Sequence, residues 1–328
     1  MNFKFLHLII SVFLVFPVSS EEIFFNNHNI HGEDSTFKDF IKWQLSGNKP
    51  DRFSIEMSDE FNLLLKKPKT PYAVWVGHSN FLINNNDINI LTDPIFSKRA
   101  SPISFAGPKR LIPPGINFNL LPDIDVVTVS HAHYDHMDIP TLKRLYEINE
   151  NTLFLVPMNS AKLLLSAGIK NVVEMNWWDT ISLSDTLITF VPVHHWSSRT
   201  PFDKNETLWG GWWFEHSSLK LVHLGDTGYT YDFLTINKEL GSPDFAFIPI
   251  GAYEPRSIMK DSHLNPDEAI QTALDLNATH AIGMHWGTFM LTDEPVQEPP
   301  ALVKNRLKEL DLEGLFTIPI PGKIISLE

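Results

Sequence analysis

The stretch Asp125-Val126-Val127-Thr128-Val129-Ser130-His131-Ala132-His133-Tyr134-Asp135-His136 decides the reading of this chain. Its first half is apolar and β-branched, the pattern of a short buried strand. Its second half sets four metal-binding side chains within six residues, where a strand ends and a loop begins. Residues two apart point the same way at a strand end, so His131 and His133 can grip one cation as a pair. Asp135 and His136, past the turn, face a second position a few ångströms away. Imidazole and carboxylate donors suit zinc, with iron or manganese compatible. A merely solvated histidine-rich loop is the plain alternative, and the density of the match argues against it. The expectation is a two-metal hydrolytic site.

Two ions need more donors than this cluster offers: a third histidine for the first ion, and a carboxylate to bridge both. Apolar runs elsewhere also end in such residues. Residues 186–193 read as a strand ending at His194-His195, and either histidine could be the third ligand. Residues 219–224 lead into Gly225-Asp226-Thr227-Gly228, where flanking glycines let the backbone approach closely and make Asp226 the natural bridge. Residues 281–284 lead into His285, which would complete the second ion. Helices are expected near residues 140–149, 159–167 and 266–277, the first with Pro in its opening turn. Strands alternating with helices predict a layered α/β core with its site on one rim.

With 328 residues, 43% hydrophobic and 20% charged, the chain can bury one large core or two small ones. A formal charge of −13, with no Lys/Arg run above two residues, excludes a broad nucleic-acid footprint. Bound metal ions are then the obvious attraction for an anionic substrate. With no cysteine there is neither disulfide nor thiolate ligand. Residues 1–20 combine Lys4, a short apolar core and the small-residue end Ser19-Ser20, the plan of a signal peptide. This predicts export to a periplasmic or extracellular space, with a membrane-anchored form if the signal stays uncleaved. Removing it takes the charge from −13 to −14, because Lys4 is its only charged group. Residues 21–70 read as an N-terminal extension, and residues 71–328 as the hydrolase domain.

H-x-H-x-D-H, a later His, a G-D-T-G aspartate and a late His resemble the metallo-β-lactamase superfamily. Further segments resemble its N-acyl-phosphatidylethanolamine-hydrolysing phospholipase D family. These are Leu91-Thr92-Asp93-Pro94-Ile95-Phe96-Ser97, Gly107-Pro108-Lys109-Arg110, Gly251-Ala252-Tyr253-Glu254-Pro255-Arg256 and His285-Trp286-Gly287-Thr288-Phe289. The resemblance implies a four-layer αββα sandwich. It also implies two Zn2+ ions, with His131, His133 and His195 on one, Asp135, His136 and His285 on the other, and Asp226 bridging. The family ligand precedes a Trp, which selects His195 over His194. His263 matches a family histidine near the substrate phosphate and enters as a catalytic and substrate-binding candidate. Asp135 could also orient the nucleophile, and Tyr134 is a second candidate for substrate contact.

The implied reaction is hydrolysis of a phosphodiester, N-acyl-phosphatidylethanolamine giving phosphatidic acid and an N-acylethanolamine. A lactonase or other ester hydrolase of this fold is the nearest rival. A secreted, non-catalytic metal-binding module is the rival of another class, and the intact set of ligand-type residues argues against it. The implied partner is a phospholipid or other amphipathic phosphodiester, with peripheral membrane contact resting on apolar contacts or local basic residues. The oligomeric state is not legible. His78 reads equally as a structural residue or as a support for the site. Trp177, Trp178, Trp209, Trp212 and Trp213 could line an acyl groove, but core packing is the simpler reading.

Overall fold

The computed structural model describes residues 24–28, 54–217 and 219–328. The expected signal over residues 1–20 lies outside them. Strands β1 (Tyr72–Gly77), β2 (Asn80–Asn84), β3 (Asn89–Thr92), β4 (Val126–Thr128), β5 (Leu153–Pro157) and β6 (Val172–Met175) form one sheet in that order. The second sheet runs in order from β7 (Thr180–Leu183) through β8 (Thr186–Val191), β9 (Gly211–His216), β10 (Leu219–His223) and β11 (Phe245–Pro249) to β12 (His280–Met284) and β13 (Phe316–Thr317). The last strand, β14 (Ile324–Ser326), pairs antiparallel with β1 and completes the first sheet. Helices α1 (Glu60–Leu63), α2 (Ile139–Ile148), α3 (Ala161–Ser166), α4 (Asp232–Leu240), α5 (Arg256–Met259), α6 (Pro266–Asp275) and α7 (Glu298–Glu309) connect and cover them.

Side-chain alternation makes the layers. Val126 of β4 and Leu155 of β5 join the apolar layer between the sheets, with Trp75, Phe81 and Phe247. Their neighbours Val127, Phe154 and Val156 join the other face, against Leu142 and Leu145 of α2 and Leu164 of α3. The Phe81 and Phe247 rings meet edge-to-face at 4.7 Å, one from each sheet. This is the αββα sandwich expected. Trp209, Trp212 and Trp213 are fully buried, and Trp177 and Trp178 pack partly buried against the same core. The tryptophans therefore fill the interior.

β3 to β6 pair in parallel, as do β10 to β13. Parallel neighbours present their C-terminal ends on one rim, which is where open α/β sheets place ligand-contacting loops. Helix α6 begins as the sequence suggests, with Asn265 and Glu268 forming a capping box and Pro266 in its first turn. It stops at Asp275, and Asn277 then adopts the left-handed conformation at φ 50°. Residues 54–70 are part of the fold: Phe61 of α1 is buried, and Ser58 N–H donates to Pro321 O at 2.9 Å.

Candidate metal centre

Each strand that was expected to end in a donor delivers it to the same rim. His131 Nε2 lies 2.7 Å from His133 Nδ1, and His195 Nε2 lies 3.4 Å from that same atom. These three form one group able to hold an ion, and Asp135, His136, His285 and His78 form another. Asp226 stands between them. Its Oδ1 is 3.0 Å from His285 Nε2, while its Oδ2 is 3.2 Å from His136, 3.8 Å from His195 and 3.9 Å from His131. One carboxylate thus reaches both groups, Oδ1 facing the second and Oδ2 lying between the two.

The ring orientations follow from what holds the far nitrogen. His195 Nδ1–H donates to Ser262 O at 2.9 Å, and His131 Nδ1–H to Ser130 Oγ at 2.9 Å. His136 Nδ1–H donates to Asp93 Oδ2 at 2.7 Å. With these tautomers, assigned from their partners, each Nε2 lone pair faces inward. His136 Nε2 and His285 Nε2 also face each other at 3.3 Å. Asp226 Oδ1 is buried without an aligned hydrogen bond, despite its closeness to His285. Converging lone pairs around a buried carboxylate fit cations, and the nitrogen-and-oxygen donor set fits first-row divalent ions.

The electrostatics agree. Burial pushes His131 and His195 well below the usual imidazole range, and His133 down to about 4. These rings are neutral and ready to ligate at ordinary pH. Burial opposes ionisation of Asp226, but the imidazoles of His136 and His285 outweigh it and hold the carboxyl well below its usual range. Asp135 is held low in the same way, by His136 foremost. Burial likewise opposes charge on His285, yet Asp226 and Asp135 lift it to about 9. A cation at this position would replace that proton.

His263 joins the rim from the turn between α5 and α6, with Nδ1 4.0 Å from Asp226 Oδ2 and its ring 5.3 Å from that of His195. Tyr134 is directed elsewhere: its hydroxyl donates to Arg199 O at 2.9 Å, and the Arg199 guanidinium covers its ring at 4.0 Å. That engagement leaves Tyr134 outside the donor groups. His194 accepts from Gly228 N–H at 2.7 Å through its carbonyl, whereas the next residue, His195, turns its ring inward.

Four residues support the cluster, three to which the sequence reading gave no role and one, His78, which it left open. Asp93, fully buried, accepts from Ser130 N–H and Ser130 Oγ–H at 2.7 Å each as well as from His136. It therefore sets His136 directly and His131 through Ser130, one histidine of each group. Its signal was present: an acid at the end of an apolar run, as with Asp226. His78 Nε2 lies 2.8 Å from Asp135 Oδ2, which resolves its reading in favour of support. Asn27 accepts from His195 N–H at 3.0 Å and Trp209 Nε1–H at 3.1 Å, from the far N-terminus. Arg256 donates to His263 O at 2.8 Å while forked onto Glu268. Nothing in the sequence announces Asn27, and Arg256 stood only as the end of the segment Gly251–Arg256 with no role attached. His78, Asp93 and His285 all adopt left-handed backbone, at φ 60°, 37° and 61°. Such strain in non-glycine residues gathers at functional sites.

Fold and donor geometry together define a metal-dependent hydrolase, and comparison with known proteins gives its kinship. The beta-lactamase superfamily domain matches residues 88–286, so the chain belongs to that superfamily. Among its relatives is the N-acyl-phosphatidylethanolamine-hydrolyzing phospholipase D 1 of Caenorhabditis elegans, 39% identical over 73% of this chain and 69% of its own. An uncharacterised protein of Mycobacterium tuberculosis is 36% identical over 77% of this chain and 68% of its own. A metallo hydrolase structure from the archaeon Ignicoccus hospitalis shares the fold at a TM-score of 0.60, with 19% identity over 79% of this chain and 98% of its own.

Proposed function

We propose that the chain is a two-metal phosphodiesterase acting on N-acyl-phosphatidylethanolamine and releasing N-acylethanolamine and phosphatidic acid. The observation that carries this reading is the 39% identity with the nematode phospholipase D, joined to a donor cluster of the shape such hydrolysis needs. His131, His133 and His195 would hold one ion, Asp135, His136 and His285 the other, and Asp226 both. Zinc suits this set best, with iron or manganese also compatible with it. Bound there, such ions would supply Lewis acidity to a phosphoryl oxygen and make a water more acidic.

The protein's own groups do the positioning. Asp135, ionised and steadied by His78, can accept a hydrogen bond from the attacking water and aim it at phosphorus. His263, which burial lowers to about 4, is a neutral imidazole at the edge of the cluster and can donate to a phosphoryl oxygen. Water then adds to phosphorus, the P–O bond to the ethanolamide breaks, and a proton from that water passes to the leaving oxygen. The buried surroundings strengthen each of these interactions.

The test compares a long-chain N-acyl phospholipid, its water-soluble glycerophospho analogue and a panel of lactones. The proposal expects the long-chain lipid to be the best substrate by kcat/KM. Far better turnover of a lactone would overturn phosphodiester chemistry, and far better turnover of the soluble diester would overturn the lipid assignment. Export is part of the same reading and is tested below.

A further inference from the structure

No acidic residue lies between Asp93 and Asp123, yet Lys98, Arg99, Lys109 and Arg110 all fall there, in a chain of formal charge −13. These residues fold as a finger. Arg110 N–H donates to Lys98 O at 2.9 Å and Ala100 N–H to Pro108 O at 3.1 Å, with Arg99 and Lys109 paired across it. Its tip is apolar and in solvent: Phe105 is 81% exposed and Ile103 45%. Lys98 and Lys109 are exposed on the flanks below that tip, whereas Arg110 turns inward and binds the carbonyls of Ile95 and Ser97. The base of the finger is tied to the site. Leu111 N–H donates to Thr288 O at 2.8 Å, and Arg110 bridges to Phe289, whose ring stands edge-on to His78 at 5.3 Å.

We propose that this finger, residues 97–111, docks the enzyme on an anionic lipid bilayer. Phe105 and Ile103 enter the boundary between headgroups and acyl chains, and Lys98 and Lys109 meet the lipid phosphates, while Arg99 braces the finger by donating to Gly107 O. The order of chemistry along the finger selects this occupant: apolar at the tip and basic behind it, matching a bilayer read from its interior outward. An overall negative protein gains nothing from diffuse attraction to such a surface, so a local cationic element is what docking requires. Contact there would hold the metal-cluster rim beside the lipid phosphates. The inference deepens the lipid reading proposed above, but exposure and charge carry it, and binding is measured apart from turnover.

The full chain is sedimented with phosphatidylglycerol vesicles and with phosphatidylcholine vesicles, beside Phe105→Ser, Phe105→Trp and the double variant Lys98→Glu/Lys109→Glu. The apolar residues 5–16 are common to all four proteins, so differences among them report the finger. Expected is a preference of the wild type for the anionic vesicles, and a loss of about tenfold or more on them for the serine and the double variant. Phe105→Trp should bind at least as well as the wild type, and all four should turn over a soluble phosphodiester equally. A Phe105→Ser or Lys98→Glu/Lys109→Glu protein that binds like the wild type overturns the proposal. So does a Phe105→Ser protein whose vesicle binding is unchanged while its oligomeric state shifts, which would make the finger a contact between copies. Intact vesicle binding without turnover of N-acyl phospholipid would strike the substrate proposal and leave the docking proposal standing.

Discussion

Asp93 never approaches the centre of the donor cluster, yet it fixes a histidine of each group, His136 by direct contact and His131 through Ser130. Replacing it by Asn keeps the shape but offers an amide where a carboxylate stood. The amide can turn an N–H toward His136 Nδ1, which removes the acceptor that sets the ring tautomer. Asp93→Asn should therefore fold, bind metal more weakly and lose about 10- to 100-fold in activity or metal affinity. Metal titration of the variant checks this, and wild-type affinity would remove Asp93 from the account. At this scale the sequence was informative where residues carry ligand chemistry: the seven donors lie where strand ends were read. It gave no partner for Asn27 or for Arg256, since these lie 168 and seven residues away and follow no periodicity. Tyr134 shows the converse, a residue inside the motif whose hydroxyl the fold assigns to Arg199.

Elements place those residues through turns that tolerate little. Asp226 reaches the cluster because Gly225, at φ 63°, passes close to Ser130: a Cβ there would stand 2.5 Å from Ser130 Cβ and 2.8 Å from its Oγ. Gly225→Ala would push on the same Ser130 that relays Asp93 to His131. The substitution should cost about 2–4 kcal/mol, from overpacking and left-handed strain together. A lowered Tm with reduced metal content is the expected result, and an unchanged Tm would show that the turn relaxes freely. Elements that could be read were those with clean apolar runs, such as β4, β8, β10 and β12. β9 was not, because Trp212-Trp213-Phe214 is buried without polar alternation and resembles an aromatic loop. Nor was α7, which opens with Glu298-Pro299-Pro300 and shows only a weak apolar stripe. β13 and β14, of two and three residues, are set by pairing with β12 and β1 rather than by their own pattern.

At the scale of the whole molecule, two stacked seven-stranded sheets bring donors from distant parts of the chain to one rim. Without cations the cluster leans on protons instead, since Asp135 and Asp226 are held as anions by His136 and by His285, which they lift to about 9. The proposed export adds a test at the same scale: mature protein should begin near Glu21, and N-terminal sequencing of secreted material that starts at Met1 would refute cleavage. The most direct measurement is elemental analysis of purified protein that has never met a chelator, paired with phosphodiester turnover before and after chelation. The account predicts about two first-row metal ions per chain, activity that leaves and returns with them, and both metal and activity lost in Asp226→Asn. Full activity in protein holding only trace metal would contradict it.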